Sequence, residues 1–262
     1  MTTKIGTMLS FAAAILAAGR GTRMKSGVPK VLLPLTGRPM IHYIVETLQR
    51  LPFAEIVVVV GHQAKAVQEV VEQVAGERVR FVVQDPPRGT GDAIRLVSRA
   101  LSPGHAALLA VNGDDAAFYR QGTIWRLLDL HVARGSIITN LFARRDPDVP
   151  FGRVRVDEAG EIEFMSHEAM LRRGLRLNLV STGAYVFDVP WLAAHVEAIP
   201  LYPNGEYPIF ELVYMAQREG RPAGFMLLDD DWEWMSANTP EEYRLADERM
   251  RALARSGEDS EG

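Results

Sequence analysis

The stretch FAAAILAAGRGTRM, Phe11 to Met24, decides how the rest of the chain is read. It fits the apolar core of a secretory leader that ends at small residues. It also fits a strand running into a dinucleotide-binding glycine turn, or a strand running into a loop that holds a nucleoside triphosphate. The flanking residues weigh against the leader: Lys4 is a thin basic start, Gly6 to Ser10 is not strongly apolar, and arginines and Pro29-Lys30 come next. Gly19 and Gly21 supply two glycines of G-x-G-x-x-G, but the third position is Met24 and no helix opens there. The G-x-x-x-x-G-K-[ST] pattern is also absent. A glycine loop after a buried strand remains, carrying Arg23 and, seven residues on, Lys30. Loop amides can approach phosphate oxygens, Arg23 offers a two-pronged donor, and Lys30 a compact charge. A plain turn with two solvated cations is the other reading of the same residues.

The whole chain bounds these options. It has 262 residues, 47% hydrophobic and 24% charged, enough for one large α/β domain with a substantial core. A net charge of −4 provides no field for nucleic acid or an anionic membrane. Cysteine is absent, which removes disulfides, thiolate metal sites and cysteine nucleophiles. No apolar run reaches the ~18 residues a membrane span needs. The six histidines show no metal-binding spacing. A cytoplasmic protein is expected.

Apolar patterning continues the βα alternation. Ala13–Leu16 reads as a buried strand, and a helix runs from Pro39 to about Arg50. The run from Glu55 is a central parallel strand, followed by a helix over Gln63–Ala75, a strand from Val79 and a helix over Gly91–Leu101. The strand from His105 ends in carboxylates. From Ser136 to Asp188 strands dominate. Helices return at Val189–Glu197 and Tyr207–Glu219, then a strand near Gly224–Leu228 and a last helix from Pro240 to Arg255. The expected fold is α/β: a Rossmann-like, mostly parallel sheet with helices on both faces and a β-rich lid on the acceptor side. Residues 1–255 are expected to form one domain, with a nucleotide-binding half over about 11–135 and an acceptor half over 136–250. Residues 256–262 are a polar tail.

Several motifs, in order, carry a family resemblance. Leu16-Ala17-Ala18-Gly19-Arg20-Gly21-Thr22-Arg23-Met24 followed by Pro29-Lys30 resembles the signature of the sugar-1-phosphate nucleotidyltransferases. Within that family it is most similar to the uridyltransferase domain of bacterial enzymes acting on N-acetylglucosamine 1-phosphate. Gln84 with Gly89-Thr90-Gly91-Asp92-Ala93 resembles the base-reading segment, and Asn112-Gly113-Asp114 the strand-end aspartate. Phe151-Gly152-Arg153-Val154, Gly205-Glu206-Tyr207 and Ala237-Asn238-Thr239-Pro240-Glu241-Glu242 also match in order. The resemblance spans roughly residues 11 to 250.

It implies a Mg²⁺-dependent transfer that joins a nucleoside triphosphate, UTP or dTTP, to a sugar 1-phosphate, releasing pyrophosphate. Arg23 and Lys30 take the catalytic role, and Asp114 and Asn238 hold the metal. Leu16, Ala17, Ala18, Gly19, Gly21, Thr22, Gln84, Gly89 and Thr90 bind the nucleotide. Gly152, Glu168, Ser181 and Thr182 face the acceptor. Read without the resemblance, Asp114 is equally a turn former after a strand and Asn238 a helix cap before Pro240. Asp115 competes with Asp114, and His167 with Glu168, for the family roles. Gln84 offers a pyrimidine edge both a donor and an acceptor.

The acceptor side departs from the family pattern. Ser181 stands where an asparagine is usual, His167 where a glutamate is usual, and Asn112 where a Leu-Tyr pair is common. These swaps point to an acceptor other than an acylamino sugar. Two alternatives stay open: a cytidylyltransferase acting on a non-sugar phosphate such as phosphocholine, and a non-catalytic relative that binds nucleotide sugar. Trp232 and Trp234, at a spacing of two, would share one strand face, as core or as an aromatic wall. The hexapeptide repeats of the compared enzymes are not seen, so neither their acetyltransferase activity nor their trimer is expected.

Overall fold

The computed structural model describes residues 9–19, 27–221 and 223–256. Gly21, Thr22 and Arg23 of the opening motif, and the tail after Ser256, lie outside the described residues.

The chain runs β1 (Ser10–Ala17), β2 (Pro34–Leu35), β3 (Arg38–Pro39), α1 (Met40–Gln49), β4 (Phe53–Val60), α2 (Ala64–Glu72), β5 (Val79–Val83), α3 (Thr90–Ala100) and β6 (His105–Asn112). It continues with α4 (Gln121–Arg134), β7 (Ile138–Arg144), β8 (Arg153–Val156), β9 (Ile162–Met165), α5 (His167–Arg172) and β10 (Leu179–Asp188). The last elements are α6 (Val189–His195), α7 (Glu211–Arg218), β11 (Ala223–Leu227) and α8 (Pro240–Ser256).

Seven strands form one sheet in the order β11-β7-β10-β6-β1-β4-β5. β6, β1, β4 and β5 pair in parallel, and β11 pairs in parallel with β7. β10 alone is antiparallel, to β6 and to β7. Covered on both faces, the strands are mostly apolar on both sides. In β1, Ala13 and Ile15 face one core, which α1, α2 and α4 cover. Ala12 and Ala14 face the other, covered by α3, α6 and α7.

The β-rich stretch expected as a lid divides differently. β7 and β10 belong to the main sheet, with apolar side chains in both of its cores and β11 paired beside β7; among these strands only β8 and β9 pair apart, as a hairpin. The hairpin is pinned by Arg153, 1% exposed, which donates to the carbonyls of Asp146 (2.7 Å), Pro147 (3.1 Å) and Val149. Helix α4 has no counterpart in the sequence reading. Its buried stripe is Ile124, Leu127, Leu128 and His131, so the fourth position is a histidine, and its start has no side-chain cap.

Trp232 and Trp234 do not share a strand face, contrary to expectation. Asp231–Glu233 is a turn of 3₁₀ helix, not a strand, so the two rings diverge: Trp232 is 56% exposed and Trp234 4%.

Candidate active site

The carboxyl ends of the parallel strands meet in a cavity of about 720 Å³. Leu16, Ala17, Ala18 and Gly19 enter it from the end of β1, Asn112, Asp114 and Asp115 from the end of β6. Gln84, Gly89 and Thr90 line it after β5, and Lys30 and Asn238 complete it. Every described residue expected to bind nucleotide therefore lines one chamber.

At its floor three distant parts of the chain converge on one ammonium. Lys30 Nζ donates to Asp114 Oδ2 at 2.8 Å and to Asn238 Oδ1 at 2.8 Å. Asp115 Oδ1 lies 3.7 Å away. Each partner has a local cause. Lys30 starts a 3₁₀ turn, Lys30–Leu32, whose Val31 is sunk in the core, so the lysine is held 4% exposed. Gly113 donates to the Leu16 carbonyl at 2.9 Å. A Cβ there would stand 3.2 Å from Ile15 and 3.3 Å from Val31, so the absence of a side chain seats Asp114 close over β1.

Asn238 is not the helix cap. Thr239 Oγ1 accepts from Glu242 N (3.2 Å), while Glu242 Oε2 reaches back to Asn238 N (2.7 Å) and Ser236 Oγ (2.8 Å). This variant of a capping box fixes the loop and leaves the Asn238 side chain to face Lys30.

Two carboxylates share one ammonium, and burial decides how they divide it. Burial, and then the charge of Asp114, raise Asp115 to about 7, against the pull of Lys30. Asp115 Oδ1 is buried with no hydrogen-bond partner, and Oδ2 accepts from Asn112 Nδ2 at 3.3 Å. The donor set, hard oxygens with surplus negative charge, fits Mg²⁺, which takes one or two carboxylates and keeps waters and phosphate oxygens for the rest. Among the described residues no three acidic or histidine side chains cluster as a closed metal cage.

The wall of the cavity that follows β5 is organised by α3. Gln84 Nε2 donates to Gly89 O (3.0 Å) and Asp92 Oδ2 (2.8 Å). Both partners only accept, so the amide orientation is set by chemistry, with the amide nitrogen committed to these two oxygens. The space left by the glycines receives the chain near Tyr207: a Cβ on Gly89 or Gly91 would stand 2.9 or 2.7 Å from Tyr207 O. Thr90 Oγ1 accepts from Ile209 N at 3.3 Å, clamping the same segment.

A second cavity of about 460 Å³ adjoins the first, with Asn238 in both walls. Its lining comes from the hairpin, β10, the residues before α7, and Trp234. Five rings line it: Phe151, Phe164, Tyr185, Phe210 and Trp234. Phe164 stacks on Phe210 at 5.5 Å, and Phe151 meets Trp234 edge-on at 5.6 Å. Its hydroxyls are largely engaged with each other and with backbone: Ser181 Oγ lies 3.3 Å from Tyr185 OH, and Ser166 Oγ accepts from Ala169 N at 3.1 Å.

Of the expected acceptor residues, Gly152 and Ser181 line this chamber and two others do not. Thr182 points away, because alternation along β10 turns its hydroxyl to Leu141 O (3.0 Å). Ser166 caps α5, so the chain leaves the wall there: Glu168 is exposed in the helix's first turn, and His167 bonds Pro147 O at 3.0 Å. Of this aromatic wall, sequence reasoning raised only Trp234, and the other four rings were missed. The missed rings sit in strand, turn and loop positions among other apolar residues, and only the meeting of four segments turns them toward a cavity.

Residues 13–177 match the family model of the MobA-like NTP transferase domain. The bifunctional protein GlmU of Pelobacter propionicus is 35% identical over 233 residues, 88% of this chain and 50% of that protein. GlmU of Shouchella clausii is 32% identical over 241 residues, 91% of this chain and 52% of its own length. The chain thus spans about half the length of these relatives. Among solved structures, a Bacillus anthracis protein assigned as a glucose-1-phosphate thymidylyltransferase superposes with a TM-score of 0.75 at 20% identity, covering 92% of this chain and 96% of that one. HddC from Yersinia pseudotuberculosis complexed with GMP-PN gives 0.69 at 20% identity, covering 91% and 98%. At these identities the structural likeness speaks for the fold.

Proposed function

The chain belongs to the MobA-like NTP transferase domain family, and from that premise we propose that it joins a nucleoside triphosphate to a sugar 1-phosphate, releasing pyrophosphate. The observation that carries this reading is the meeting of Lys30, Asp114 and Asn238 between two adjoining chambers. An acceptor phosphate oxygen bonds to the α-phosphorus, the bond to the β-phosphate bridging oxygen breaks, and pyrophosphate carries the electron pair away. Such a transfer needs alignment and charge neutralisation more than covalent help.

Asp114 and Asn238 would hold Mg²⁺, which supplies Lewis-acid neutralisation of phosphate oxygens. Lys30 brings a desolvated positive charge to the same oxygens, and the main chain over Leu16–Gly19 borders the triphosphate. The Gln84 carbonyl accepts from a base N–H, such as N3–H of uracil or thymine. Asp115 holds Asn112 in the wall of the first chamber.

The second reading, transfer of a cytidylyl group to phosphocholine, draws on the five rings of the acceptor chamber, since aromatic faces bind quaternary ammonium groups. Against it, among the described residues no carboxylate lines that chamber to pair with a quaternary ammonium.

Pyrophosphate release from UTP, dTTP and CTP, each with N-acetylglucosamine 1-phosphate, glucose 1-phosphate and phosphocholine, separates these readings. Turnover with a sugar 1-phosphate that stops with EDTA and returns with Mg²⁺ is the expected result. Release only with CTP and phosphocholine selects the second reading. No release with any pair, by a protein that binds nucleotide sugar, selects the non-catalytic one.

A further inference from the structure

Lys30 is bonded to the two oxygens that the functional reading gives to a divalent cation, and its role as inferred below rests on that reading. The Lys30 side chain is 4% exposed, and its ammonium lies 2.8 Å from both Asp114 Oδ2 and Asn238 Oδ1. Asp115 Oδ1 faces it at 3.7 Å, and no other carboxylate is paired with it among the described residues. A second cation drawn to those oxygens would meet a fixed positive charge at contact range, in a partly desolvated site where repulsion is weakly screened. A triphosphate changes this balance, because its anionic oxygens accept the same ammonium.

We propose that Lys30 is a built-in counter-ion for Asp114 and Asn238 in the nucleotide-free chain, and that it makes tight binding of a divalent cation there conditional on a polyphosphate that takes the ammonium over. Lys30 is thereby a positioning residue for binding order as well as a phosphate ligand. The coupling is reciprocal: whatever the polyphosphate adds to cation affinity, the cation returns to polyphosphate affinity.

The test is Mn²⁺ titration of the nucleotide-free protein, followed by the paramagnetic resonance of the free ion. Lys30→Met should bind Mn²⁺ at least about tenfold more tightly than the parent, within the usual range of site–site coupling. Adding Asp114→Asn to Lys30→Met should remove the gain. A non-hydrolysable triphosphate analogue should tighten Mn²⁺ strongly in the parent and only weakly in Lys30→Met. A folded Lys30→Met protein with parental or weaker Mn²⁺ affinity overturns the inference.

Should Lys30→Met not fold, the parent answers by acetylation with an N-hydroxysuccinimide ester and mass spectrometry, with the 89%-exposed Lys65 as reference. Labelling of Lys30 should rise severalfold when Mn²⁺ alone saturates the protein; unchanged labelling shows that ammonium and metal coexist, and overturns the inference. Pyrophosphate release by the parent reports the functional reading separately. If that turnover is present while these binding results fail, only the role of Lys30 falls.

Discussion

The two ends of the central sheet solve different problems. In the parallel part, β6-β1-β4-β5, the strands are mostly aliphatic toward their carboxyl ends, beyond which Lys30, Gln84 and Asp114 gather, and the buried Glu55 sits near the opposite end of β4, bonded to Ser102 and Arg80. In the part formed by β11, β7 and β10, polar groups are buried inside strands. Thr139 is bonded to His131 Nδ1 at 3.0 Å, Asn140 to Gly224 O at 3.0 Å, and Thr182 to Leu141 O. The first arrangement builds a polar site on an indifferent scaffold. The second builds an aromatic chamber on a scaffold that itself depends on specific polar pairings. Chemistry is therefore concentrated in few residues on one side, while shape is spread over many on the other.

Substitution at the nucleotide side should produce the largest loss. Asp114→Asn is expected to lower kcat by roughly a thousandfold, the scale of losing a preorganised charge in a transition state. Its melting temperature should stay within a few degrees of the parent. Unfolding of this variant would mean that Asp114 serves the scaffold, and the contrast between the two sides would break.

The seam between the two parts comes next. Gly183 has φ +75°, and a Cβ there would fall 2.1 Å from Asn112 Nδ2. Gly183→Ala should cost about 2–4 kcal/mol in chemical denaturation, from backbone strain plus the clash. Gly183→Ala combined with Asn112→Ala should regain part of that loss and leave the φ contribution. Full recovery would assign the whole cost to the clash.

The acceptor-side scaffold should show its buried polar pairing as pH dependence. Burial pushes His131 down to about 4, so it is neutral in the fold. Between its unfolded value near 6.5 and about 4, the unfolded chain binds a proton that the native chain does not. Stability is thus fully present above pH 6.5 and lost as pH falls through that window, by up to about 1.4 kcal/mol per pH unit. Urea melts from pH 7.5 to 5 should show this slope in the parent and a shallower one in His131→Gln. Equal slopes would place the acid sensitivity elsewhere.

The smallest effect belongs to the acceptor wall. Ser181→Asn should raise kcat/KM for N-acetylglucosamine 1-phosphate by about two- to tenfold, the value of one hydrogen bond to an uncharged group. The KM for nucleotide should not move. In the parent, a preference above about a thousandfold for the N-acetyl sugar over glucose 1-phosphate would show that other residues supply the contacts missing at Ser181 and His167.

Local rules along the chain specify much of this molecule. Continuous β-branched and alanine runs make buried parallel strands, glycines and prolines end them, and a site at strand ends inherits its order from the chain. Hence β1, β4, β5 and β6 and a polar site at their carboxyl ends were legible from local pattern, the meeting of Asp114 with Asn238 was implied only by the family resemblance, and their shared bond to Lys30 came from the tertiary structure. Tertiary structure decided what depends on orientation between distant segments. It put β7 and β10 into the main sheet and turned Thr182 and Glu168 away from the second chamber. It sent Trp232 outward and Trp234 inward, and engaged both Gln84 donors with α3 and its cap. The physical reason is that an aromatic ring or amide has the same local propensity whether it faces a core, a cavity or another polar group. Only the packing of segments far apart in the chain chooses among them.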